Sequence, residues 1–171
     1  MSRETKAVLL SVLLVGASVV LQSTLLPKIA IRGVKPDLTL VVLIFVSLRR
    51  GAMTGQLVGF AAGLAEDVVS LAPLGFHALM RCIAGFVYGL FLGNVFVDPL
   101  LMPLLFVLAG TLAKGILSGL LVVVFGASSQ GFAAFAGPFW IEMLYNALLA
   151  PFVFALLGLI KLLRPMEKKK P

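Results

Sequence analysis

Long uncharged runs separated by short polar punctuation fill the chain. The first, residues 7–26, follows Arg3 and Lys6 and is long enough to cross the ~30 Å hydrocarbon core of a bilayer as a helix. Its apolar length exceeds the ~7–15 residues of a signal-peptide core, and Thr24-Leu25-Leu26-Pro27 offers no small-x-small cleavage site, so a retained helix is expected. After Lys28, Arg32 and Lys35, Pro36-Asp37 opens a second run at 36–48 that ends at Arg49-Arg50. An acid at its start and two bases at its end complement the helix dipole. This run is short for a crossing and predicts either local thinning of the bilayer or burial against neighbours. Further runs follow at 51–65, 74–97, 100–125 and 138–163, separated by Pro73, Asp98-Pro99 and the small-residue stretch GASSQGFAAFAG at 126–137. The predicted architecture is an all-α membrane protein, a single integral domain over 1–171 folded as a compact bundle of six transmembrane helices.

Glycines punctuate these runs at helical spacing. Gly51, Gly55, Gly59 and Gly63 recur every fourth residue and lead directly into Glu66-Asp67; Gly85, Gly89 and Gly93 form a second ladder, and Gly115 and Gly119 a shorter one. An interior glycine costs about 1 kcal/mol relative to alanine in a soluble helix. Between membrane helices the same pattern strips one face of side chains and lets two backbones approach. The ladders therefore predict Gly-rich packing faces, available to another helix of the bundle or to a partner.

Composition agrees with this reading: of 171 residues 61% are hydrophobic and 12% charged, about half the charged share of an ordinary soluble domain. The chain carries 14 Lys+Arg against 7 Asp+Glu. In a soluble protein that excess would suggest nucleic acid; here it gathers at chain ends and turns and reports topology. Six crossings with cytoplasmic termini put Arg3, Lys6, Arg49, Arg50, Lys161, Arg164, Lys168, Lys169 and Lys170 on one side, and only Lys28, Arg32 and Lys35 on the other. That distribution follows the positive-inside rule. The single Cys82 excludes an intrachain disulfide.

Three ionisable residues lie within the runs: Arg81, Lys114 and Glu142. A charge near the bilayer centre costs at least ~2.5–3.5 kcal/mol on insertion scales, so each is expected to face protein or water. In the six-span topology they fall in the outer half of the membrane, with Glu66 and Asp67 capping the outer end of the third helix. A shared polar cluster of Glu66, Asp67, Arg81, Lys114 and Glu142 is predicted, with Glu142 pairing Arg81 or Lys114. Two roles stay open for it: a site for a small polar ligand or partner, or an ion-pair lock that fixes helix register. His77 has no second histidine or cysteine at ligand spacing, so no metal is expected. Phe132, Phe135, Phe139 and Trp140 read as an interfacial aromatic belt. No HExxH, hydrolytic triad or cofactor-lysine motif is present, so neither an enzyme nor a cofactor is expected.

Over residues 35–89 the chain resembles the rod shape-determining protein MreD family. The matching elements are Pro36-Asp37-Leu38 opening a helix, Arg50-Gly51 with Gly55, Gly59 and Gly63, then Asp67, Leu74-Gly75 and Ala78-Leu79. The resemblance implies a non-catalytic inner-membrane scaffold of the bacterial cell-elongation and peptidoglycan-synthesis machinery. It implies as partners the single-span MreC and, through it, the MreB filament and the synthase pair RodA and penicillin-binding protein 2. The six-span glycine-rich plan is also similar to the S-components of energy-coupling-factor vitamin transporters, in which the charged cluster would be a ligand pocket. The first helix departs from the Ala-x-x-x-Ala docking patch of that class, offering Ala7-x-x-x-Ser11 and the small set Gly16, Ala17 and Ser18.

Overall fold

The computed structural model describes residues 3–70, 72–92, 101–124 and 137–163. Gly93, Asp98, Phe132, Phe135 and the basic tail from Arg164 lie outside the described residues. The described residues form six α-helices: α1 (Arg3–Thr24), α2 (Leu38–Arg50), α3 (Ala52–Val69), α4 (Phe76–Gly89), α5 (Leu101–Val124) and α6 (Gly137–Gly158), with short 3-10 turns at Leu26–Ile29 and Lys161–Leu163. Each predicted run contains one helix. Three of them are long and apolar enough to cross a membrane: Glu4–Thr24, Leu101–Leu120 and Gly137–Gly158.

The short α2 occupies the centre. Every residue from Thr39 to Leu48 is buried, and α2 packs against all five other helices. An all-round apolar helix is either buried in a core or spans a membrane, and the packing on every side puts α2 in the core of the bundle. Burial, not bilayer thinning, therefore accounts for its 13 residues. One side of α2 joins Val15, Val19 and Val58 in the core; the other side joins Tyr88, Val107 and Ala150. The outward faces remain apolar, with Leu13, Met53, Leu144 and Phe152 all more than half exposed, as suits contact with lipid.

The glycine ladders are spent on each other. An added Cβ at Gly55 would meet the carbonyl oxygen of Gly85, at Gly59 that of Arg81, at Gly63 the backbone of His77 and Ala78, and at Gly89 the backbone of Ala52. Thus α3 and α4 form an antiparallel hairpin in direct backbone contact, the most intimate helix pair among the described residues. Of the two uses expected for the ladder, another helix of the bundle or a partner, these contacts are of the first kind. At the α2–α3 corner Gly51 holds φ +86° and would bring a Cβ to 3.2 Å from Leu92. Gly115 answers a side chain instead, with Phe139 Cε2 2.6 Å from its would-be Cβ.

Candidate functional site: an interhelical ion network

Asp37 occupies the N-cap of α2, where Oδ1 accepts from Leu40 N at 2.9 Å. Side-chain capping of this kind satisfies one of the orphan amides of a first turn. The same carboxylate lies at the centre of a buried network. Arg81 of α4 donates from Nη2 to Asp37 Oδ1 at 2.7 Å. It also grips Glu66 of α3 with both nitrogens, Nη2 to Oε1 at 2.9 Å and Nε to Oε2 at 3.0 Å. Lys114 of α5 donates to Asp37 Oδ2 at 2.7 Å and to Glu142 Oε1 of α6. Three carboxylates therefore share two cations.

Neutral groups extend the network to the remaining helix and close its edges. Gln22 of α1 accepts from Thr39 N at 2.9 Å and reaches Glu66 Oε1 at 3.4 Å. The backbone N–H of Asp37 donates to Asn146 Oδ1 at 2.7 Å, and Asn146 Nδ2 donates to Thr111 Oγ1 at 3.0 Å. Every helix of the bundle contributes at least one side chain. Arg81 is 4% exposed and Asp37 2%. Charges this deep are tolerated only when paired and hydrogen-bonded, and here both are.

The network differs from the sequence-based cluster in two members. Asp67 does not join it. Its carboxylate accepts from the backbone N–H of Gly75, His77 and Ala78 at 2.8, 2.8 and 3.2 Å, and meets His77 Nδ1 at 2.9 Å. It caps the start of α4, where Gly75 adopts φ +97° and Leu74 is exposed. Glu66 and Asp67 also lie inside α3, which runs on to Val69, and do not stand beyond its end. Asp37 is the member that sequence reasoning assigned only to a helix start and a family motif. Asn146 was legible in principle, since it follows Glu142 at i+4 on α6 and so shares its face. Gln22, a lone amide in an otherwise apolar first run, was the remaining signal.

Because Asp67 serves three amides at the start of α4, Asp67→Ala is expected to destabilise the fold by roughly 0.5–2 kcal/mol, the range of a lost helix cap. A thermal melt in mild detergent reads this, and Asp67→Asn should retain part of the stability through its remaining acceptor.

A vestibule of about 340 Å³ opens beside the network, bordered by Gln22, Lys35, Asp37, Glu66, His77, Arg81 and Lys114. Apolar outward faces, close-packed glycine backbones and buried charges that answer one another define an all-helical membrane protein stabilised from within. The model of the rod shape-determining protein MreD family matches residues 2–160, and the chain belongs to that family. This is a shape-determining family and not a known enzyme family. Comparison with curated proteins and with solved structures finds no match.

Proposed function

We propose that the chain is a non-catalytic scaffold of the bacterial cell-elongation machinery in the cytoplasmic membrane. It crosses six times with both termini cytoplasmic and holds the transmembrane helix of MreC. Through MreC it is tied to the MreB filament and to the RodA–penicillin-binding protein 2 pair in peptidoglycan synthesis. The observation that carries this reading is the family match over residues 2–160. The packing supports it physically: the small-residue faces of α3 and α4 are spent inside the chain, and the buried charges answer one another. What results is a preformed body whose outward surface is apolar, suited to binding a helix without rearranging.

The polar vestibule favours a second reading, capture of a small polar ligand in the manner of an S-component. A C-terminally tagged protein separates the two. Purified gently from its native membrane, it is expected to bring down a single-span protein and the synthase pair, with the tag facing the cytoplasm in a reporter assay. Recovery of paired ATPases with a coupling protein would favour the transporter, and a periplasmic tag would contradict the topology.

A further inference from the structure

Along the side of the bundle, α5 packs chiefly on α6 and meets α4 only sparingly. Between α4 and α5 lies an apolar groove whose walls include Met80, Ile83, Ala84, Val87, Ala113 and Leu117. It extends from His77 to Tyr88 along α4, about 16 Å at 1.5 Å per residue. That is the depth of one leaflet, about half of the ~30 Å hydrocarbon core. At the Tyr88 end the groove is closed: Tyr88 donates to the carbonyl of Phe106 at 3.1 Å, and the two rings stack edge to face. At the other end His77, Arg81 and Lys114 line both the groove and the polar vestibule. The two spaces thus adjoin at these three side chains, an apolar groove along the bundle side next to a polar vestibule, and together they make a recess with an amphipathic lining.

The charges of the vestibule are unequal in availability. Arg81 and Lys114 are committed to carboxylates. Lys35 meets no carboxylate among the described residues; its ammonium donates only to the backbone oxygen of Gln22 at 3.3 Å. Lys28 and Arg32 lie on the same connection, which holds no acid between Thr24 and Pro36. The vestibule therefore offers spare positive charge at Lys35, next to a one-leaflet apolar slot.

We propose that this recess holds one anionic phospholipid, its tail between α4 and α5 and its phosphate beside Lys35. A partner helix suits the groove less well, because it would have to continue through the second leaflet past the Tyr88–Phe106 closure. The assignment is independent of which protein the scaffold binds.

The test is native mass spectrometry of the full chain in neutral detergent, loaded with phosphatidylglycerol or with phosphatidylcholine of matched tails. One phosphatidylglycerol per chain is expected, retained about fivefold over phosphatidylcholine, as one lysine at a membrane surface supplies. Lys35→Gln should abolish the preference, and Ala113→Phe, which fills the groove from an exposed position, should release both lipids. Val87→Trp fills it from α4 should Ala113→Phe fail to fold. Equal retention of the two lipids, or retention unchanged in the filled variants, would overturn the proposal. Displacement of the lipid by glycerol 3-phosphate would assign the vestibule to a free phosphate ester and overturn it too. Loss of a co-purifying single-span protein from the filled variants, with lipid retention intact, would give the groove to a helix.

Discussion

Arg81→Leu is expected to abolish recovery of folded, monodisperse protein. The guanidinium answers two buried carboxylates at once, Asp37 and Glu66; its removal leaves Lys114 to serve Asp37 and Glu142 and strands Glu66 without a cation. Breaking a buried pair by deleting one partner costs about 3–5 kcal/mol, because the orphaned charge stays buried. Against a total stability of about 5–15 kcal/mol, that is enough to dominate the outcome. Arg81→Lys should fall between the two. A lysine is a point charge and cannot present the two-nitrogen fork that holds both oxygens of Glu66 while reaching Asp37. Adding Glu66→Gln to Arg81→Leu removes the stranded charge and should restore part of the yield. The measurement is size-exclusion chromatography of a fluorescent fusion, followed by thermal melting of whatever is recovered. Wild-type melting of Arg81→Leu would show that the network contributes nothing to folding. Recovery in the charge-reduced variant would identify the lock, not the individual residue, as the stabilising unit.

The parts of this fold that were legible are those written in local spacing. Four glycines at every fourth position force a bare helix face, so close packing of α3 followed from the sequence. Its partner did not. Nothing in the spacing of Gly85 and Gly89 states that they meet Gly55 and Ala52 across a turn, since register depends on the length of the loop and on Gly75. The charged cluster was legible in the same limited way. Burial demands partners, so Arg81, Lys114 and Glu142 had to be answered. The choice of partners is set by tertiary approach: Asp37 lies 44 positions from Arg81 and 77 from Lys114, and an N-cap aspartate has an adequate local explanation without either. Glu66 and Asp67 illustrate the opposite limit. Adjacent in sequence, they point about 100° apart on a helix of 3.6 residues per turn. One therefore reaches the guanidinium and the other the amides of α4.

Gly59→Ala should be nearly as damaging as Gly59→Leu, an outcome unusual for so small a side chain. Overpacking a core usually costs about 1–3 kcal/mol, because neighbouring side chains yield. Here the opposing atoms are the carbonyl oxygen and carbon of Arg81, the latter only 2.8 Å from where the Cβ would sit. Backbone within a helix cannot step aside alone, so relief requires α3 and α4 to separate along their length. Gly55 and Gly63 meet backbone in the same way, and separation at one rung loosens the others. It also withdraws Arg81 from Glu66 and Asp37, since the carbonyl that must move belongs to the residue at the centre of the network. The effects of Gly59→Ala and Arg81→Lys should consequently be non-additive, with the double variant less damaged than the sum of the singles, as expected for residues sharing one structural element. Gly16→Ala is the control: apart from its chain neighbours and its own helix backbone nothing lies within 4 Å of the added methyl, and the helix propensity gained should leave melting unchanged or slightly raised. Melting curves for the wild type, Gly59→Ala, Gly59→Leu, Arg81→Lys, the double variant and the control decide the matter. A mild Gly59→Ala would mean that the hairpin can open without consequence for the ion network. Strict additivity would mean that glycine packing and ion pairing stabilise separate parts of the bundle.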